Sequence, residues 1–480
     1  MQFDLIIERG ELIDGSGSPR TRADVGVRDG RIAAVGDLAG QPSQQRMDAG
    51  GLVVAPGFID VHTHDDRLLL EGGDALRCKL LQGVTTVVTG NCGISLAPLQ
   101  VDEPPPPLDV FGAGGHRFAS FASYLDALER SRPAVNAVSL IGHSTLRVNH
   151  VADLNRPASR REIAAMREAL SEALQAGAWG FSTGLYYPTA SAATTEEVID
   201  VGAPLSAGAA PIAMHLRDEG DGIVEAMQEG LHIGRALKVP VVFSHHKIVG
   251  RANHGRSAET LKLLEHAARE QSVCMDCYPY DASSTMLMPS RIRHSTEVLV
   301  TWSRPEPAAA GRSLFELARE RQETPEQTAI ALAPAGAVYF AMDEADVQNI
   351  LSHPLTMIGS DGLGHDTHPH PRLWGTFPRV LGRYVREVKL LPLEAAVHKM
   401  TGLSALRFGL AGRGQVAEGF RADLVLFNPD EVQDRASYRE PHLAPAGIEA
   451  VFVNGVLACR QGVVTNQRAG QVLRRGRPAA

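Results

Sequence analysis

Cysteine is scarce in this chain: five in 480 residues, at Cys78, Cys92, Cys274, Cys277 and Cys459. An odd, sparse set in so long a chain does not read as a disulfide framework. Long basic runs are missing too. The formal charge is -8 with both signs interspersed, which gives no reason to expect a nucleic-acid partner. The N-terminal stretch MQFDLIIERGELIDG carries acids early and lacks a basic start followed by a long apolar run. Neither a signal peptide nor a membrane span is expected. A soluble, cytoplasmic protein is the reading these absences leave.

What is present suffices for a full core, since 44% of residues are hydrophobic. The length suits one large domain plus a small one. Residues 1–55 read as short strands between turn residues: DLIIERGELIDG, DVGVRDGRIAAVGD and GLVVAPG. The stretch from about 412 to 480 reads the same way, with QVAEGFRADLVLFNP and GIEAVFVNGVLACRQG. Asp29-Gly30 and Asn454-Gly455 are hairpin signals. The two ends together are expected to form one small β-sandwich domain.

Residues 56–411 alternate instead. Candidate strands are VVAPGFIDVHTH, TTVVTGNC, NAVSLIGHS, WGFSTG, APIAMHL, VPVVFSHH, VCMDCYPY and LTMIGSDG. Helical stretches lie between them. In REIAAMREALSEALQAGA, Ile163, Met166, Leu170 and Leu174 fall on one face at helical spacing. Strands alternating with helices imply parallel pairing. This number of strands fits a closed α/β barrel, the (β/α)8 or TIM barrel, better than an open sheet. An excursion at about 285–345 shows no clear strand. It reads equally as an active-site lid or as a structural prop.

In such a barrel the active site sits at the C-terminal strand ends. Here the first strand ends in His62-Thr63-His64, whose two histidines face the same way. Later ends offer Asn91-Cys92, His143-Ser144, His215, His245-His246 and Asp361. A lone histidine more often fills a core or surface role. A set of metal-ligand types at consecutive strand ends points to a metal site. His245 and His246 leave opposite faces of their strand, so only one enters the barrel mouth. Cys274 and Cys277 form a C-x-x-C, but residues three apart on a strand face opposite ways and chelate poorly.

GFIDVHTHDD, VTTVVTGNCGIS, MHLRDEG, FSHHK, IGSDGL, HPRLWGTFPRVLGRY, KMTG, FGLAGRG and ADLVLFNP resemble the amidohydrolase superfamily. Within it they resemble the N-acyl-D-amino-acid deacylases, over nearly the whole chain. Many two-metal members bridge their ions with a carboxylated lysine on the fourth strand. The fourth candidate strand here, GFSTGLYY, has no lysine. Cys92 can take the bridging place, since thiolate is a good zinc ligand. The resemblance implies a firm zinc on Cys92, His215 and His245, the first histidine of its pair. It implies a second, weaker position among His62, His64 and Asp361.

The implied reaction is hydrolysis of the amide bond of N-acyl-D-amino acids, giving a carboxylate such as acetate and a free D-amino acid. Zinc lowers the pKa of bound water from 15.7 to about 7. Asp361 would take a proton from the attacking water and deliver it to the leaving amine. Lys247, Tyr187 and Tyr278 are expected to hold the substrate carboxylate. Ser284, Arg291 and Arg372 are expected to contact the rest of the substrate. His143 is read either as polarising the carbonyl or as supporting the ligands. The rival is a cyclic amidase of the dihydropyrimidinase or dihydroorotase type, against which Cys92 and the missing lysine argue. The D preference comes from the resemblance alone.

Overall fold

Two-residue turns organise the chain ends. Asp29, Gly30, Asn454 and Gly455 have φ of 52°, 69°, 49° and 81°. Paired left-handed residues are what a type I′ hairpin requires. The first turn joins strands Asp24–Arg28 and Arg31–Gly36, and the second joins Ile448–Val453 and Val456–Arg460. One sheet comes wholly from the N-terminal residues, with Phe3–Glu8 at its centre. The other joins the two ends, because Val53–Pro56 pairs antiparallel with Leu424–Phe427. Ile7, Val25 and Ile32 share a buried cluster with Leu424, Leu426 and Phe452. The two sheets thus form a β-sandwich built from both ends of the chain. The computed structural model describes residues 2–111 and 117–476, so Met1 and 477–480 of the expected terminal unit lie outside the described residues.

Between the ends runs a parallel barrel. Its strands are β1 (Phe58–Asp60), β2 (Val84–Thr89), β3 (Asn136–Ser139, continued by Ile141–Gly142) and β4 (Phe181–Gly184). They continue as β5 (Ile212–His215), β6 (Val241–Phe243), β7 (Val273–Cys277) and β8 (Thr356–Ile358). Each pairs in parallel with the next. The ring closes just beyond the last strand. Thr63 and Gly362 form a parallel bridge, and the Asp361 N–H donates to the His62 carbonyl at 2.8 Å. Val472–Leu473 leaves the sandwich and pairs in parallel with β3.

Strand alternation explains the two C-x-x-C cysteines. Cys274 packs inside the barrel with Ile59, Val88, Val242 and Met357. Cys277 packs in the layer beneath the helices with Met275, Val273 and Ile358. Both are free thiols, and burial pushes the Cys274 thiol up to about 12. The helix read from REIAAMREALSEALQAGA spans Arg160–Ala176. Ser159 and Glu162 cap it reciprocally, an arrangement worth about 1 kcal/mol. Met166 and Leu170 are buried, and Ile163 and Leu174 pack on the same core.

The excursion differs from its expectation. It contains an antiparallel sheet of Ser283–Met286, Ala335–Tyr339 and Val298–Ser303. Helices Leu314–Arg321 and Pro325–Leu332 separate two of the pairing partners, so no local alternation announces the sheet. Leu287, Val298, Val300, Leu314, Leu317 and Leu332 give it a core of its own. Among the described residues no helix is long and apolar enough to cross a membrane.

Candidate metal centre

Each candidate ligand lies at or just past a barrel strand end, and three sit on unusual backbone. Cys92, His245 and Asp361 have φ of 56°, 35° and 50°. Left-handed backbone at a non-glycine residue costs on the order of 1–3 kcal/mol and persists only where its surroundings enforce it. Gly90 helps to enforce it at Cys92. It has φ of 76°, and a Cβ there would lie 2.0 Å from the Leu140 carbonyl oxygen.

These turns converge the side chains into two donor sets that share one atom. Cys92, His215 and His245 form one set, and His62, His64, Cys92 and Asp361 form the other. Within each set the ligand atoms all lie within 4.8 Å of one another. Cys92 Sγ lies 3.2 Å from His245 Nε2 and 3.2 Å from His62 Nε2. Asp361 Oδ1 lies 3.2 Å from His64 Nε2 and 3.5 Å from His62 Nε2. Every one of these residues is buried.

Nitrogen, thiolate and carboxylate in these numbers suit zinc. The electrostatics agree. Burial, the largest influence on Cys92, opposes ionisation, but His62 and His245 pull the thiol well below its ordinary range. Burial likewise disfavours the Asp361 carboxylate, and Arg372, His62 and His245 outweigh it. Neither ring nitrogen of His215 has a hydrogen-bond partner although both are buried. A cation between the donors would satisfy one of the two.

His246, by contrast, turns away, with Nε2 2.9 Å from Thr260 Oγ1. Arg372 lies 2.8 Å from Asp361 Oδ2 and donates to the Ser284 carbonyl at 3.1 Å. Its guanidinium stacks 4.5 Å from the Tyr278 ring. Lys247 pairs with buried Glu219, which also lies 3.3 Å from His245 Nδ1 and 3.8 Å from Arg291. Arg291 sits over the rings of Tyr186 and Tyr339. Tyr187 packs 4.9 Å from the His215 ring, and its hydroxyl lies 3.2 Å from Thr285 Oγ1. A small pocket beside the donors is lined by His64, Tyr187, Ser284, Trp302 and Asp361. The excursion therefore supplies part of its wall. The contacts described for His143 are of another kind: Glu197 at 3.3 Å and the Phe181 ring.

Five buried residues that sequence reasoning missed support the donors. Asp276 lies 3.2 Å from His62 Nδ1, and Glu219 backs His245. Lys79 Nζ donates to Asp60 Oδ2 and Ser360 Oγ, each at 2.9 Å. It thus ties the end of β1, just before His62, to the segment before Asp361. A charged residue inside an apolar strand, such as Asp276 in VCMDC, was the available signal. A second, larger cavity opens at the other end of the barrel, lined by Leu174, Trp179, Leu205, Leu410 and Leu473, remote from every donor.

Relatives place these features in context. A D-aminoacylase of Alcaligenes xylosoxydans xylosoxydans is 56% identical, over 98% of each chain. A solved D-aminoacylase, studied for one-metal activation and second-metal attenuation of its binuclear centre, superposes with a TM-score of 0.97. It is 53% identical and is matched over 98% of this chain and 100% of that one. The N-acyl-D-glutamate deacylase of Bordetella bronchiseptica, solved with zinc and a phosphonate mimic of the tetrahedral intermediate, gives a TM-score of 0.95 at 45% identity. It is covered over 99% of this chain and 100% of its own. The amidohydrolase family model matches residues 45–458, and on this fold, this donor set and this likeness the chain belongs to the amidohydrolase family.

Proposed function

We propose that this chain hydrolyses the amide bond of N-acyl-D-amino acids, releasing a carboxylate such as acetate and a free D-amino acid. One zinc is held firmly by Cys92, His215 and His245. A second, weaker position lies among His62, His64, Cys92 and Asp361, and its filling attenuates turnover, as in the solved relative. The observation that carries the reading is the shared thiolate at the barrel mouth, 3.2 Å from a histidine of each set. β4, Phe181–Gly184, offers no lysine, so the bridge expected of a cyclic amidase has no counterpart there. The D preference follows the full-length relatives, which are named for D substrates.

Bound zinc supplies Lewis acidity, making water nucleophilic near neutral pH and polarising a carbonyl. The rest falls to the chain. Arg372 occupies Oδ2 of Asp361 and leaves Oδ1 facing the histidines. Held ionised, Asp361 accepts a proton from the attacking water at Oδ1 and passes it to the departing nitrogen, which leaves poorly unless protonated. Lys247, Tyr187 and Tyr278 hold the substrate carboxylate. Arg291 and Ser284 contact the remainder.

Asp361→Asn separates these roles. Turnover is expected to fall by roughly 10²–10⁴-fold, while zinc analysis still finds the firm ion. Near-normal turnover in this variant would rule out the proton-transfer role. A panel of N-acetyl D- and L-amino acids, with hydantoin and dihydrouracil as controls, tests the substrate class. Preferential ring opening would favour the cyclic amidase.

A further inference from the structure

Asp276 stands on β7 between the two packed cysteines and is buried. Its carboxylate joins both halves of the centre. Oδ1 and Oδ2 lie 3.2 and 3.4 Å from His62 Nδ1. Oδ1 also accepts the backbone N–H of His245 at 2.9 Å. Across the imidazole, His62 Nε2 faces Cys92 and Asp361. The other outer histidine lacks such support, since His64 Nδ1 is buried with no hydrogen-bond partner.

We propose that Asp276 is the positioning residue that sets the affinity of the outer metal position, acting through His62. The proposal rests on the two-position reading above. A carboxylate at Nδ1 keeps the proton there, so the Nε2 lone pair is free for a cation. It also raises the basicity of Nε2 and fixes the ring plane. Asp276 therefore governs how much metal is needed before the second ion binds. Its contact with the inner half is to the backbone of His245 and leaves that residue's ring nitrogens untouched. The inner position should thus feel its loss far less.

The test is a zinc titration of the chelator-stripped chain against a chromophoric competitor, comparing wild type with Asp276→Asn. The first binding step is expected to stay within about threefold, while the second weakens by roughly 10–100-fold. Attenuation by excess zinc should move to higher metal concentration by the same factor. An intact first step also reports that the variant is folded. If Asp276→Asn does not fold, Asp276→Glu is read the same way, because it keeps the charge but displaces it. An unchanged second step, or equal weakening of both steps, overturns the assignment. A wild-type chain that takes up a single ion overturns the two-position reading, and the role of Asp276 with it.

Discussion

Cys92 serves two donor sets with one sulfur, and this explains why so much surrounds it. A buried thiol resists ionisation, so histidines on either side must supply the field that favours thiolate. Asp361 is held in a similar way, with Arg372 on one oxygen and histidines on the other. Sequence reasoning assigned Arg372 to the substrate. In the fold its nearest anion is Asp361, a pairing between residues on separate turns that spacing alone does not reveal. Lys247 is likewise paired with Glu219 before any substrate arrives. Replacing Lys247 with Met should raise KM for an N-acetyl-D-amino acid by roughly 10–100-fold, the range for losing a charge-assisted hydrogen bond. KM for the corresponding amide should change little. Equal effects on acid and amide would mean that Lys247 does not read the carboxylate.

At the scale of elements, the centre depends on how strands end. The alternation of short apolar runs with helical stretches was legible because local periodicity dictates it. The outer donors, His62, His64 and Asp361, are set by the seam where β1 meets β8. There Lys79 is buried against Asp60 at 2.9 Å and Asp65 at 3.2 Å. Lys79→Met leaves those carboxylates without their cation. The expected loss is about 3–5 kcal/mol of stability in denaturant unfolding. A loss below about 1 kcal/mol would show that the pair does not hold the seam. Lys79 did not stand out in the sequence, and the charge of Asp276 inside VCMDC, though visible, gains meaning only from a partner far along the chain. The antiparallel sheet of the excursion was hidden for the same reason. Its strands find each other across intervening helices.

Over the whole molecule, the two chain ends close into a sandwich and the middle closes into a barrel, with the chemistry at one mouth. The hairpin turns at Asp29-Gly30 and Asn454-Gly455 were readable because their residue types carry the conformation. The pairing of Val472–Leu473 with β3 was not, because two residues form too short a strand to show a pattern. The central claim is a zinc-dependent hydrolase of N-acyl-D-amino acids whose inner ion supports turnover. It is tested most directly by stripping the metal and restoring zinc stepwise while following N-acetyl-D-methionine and its L enantiomer. Activity should be absent without metal, rise with the first equivalent of zinc, fall as a second binds, and favour the D substrate throughout. Full turnover in the metal-free chain, or equal rates for the two enantiomers, would contradict it.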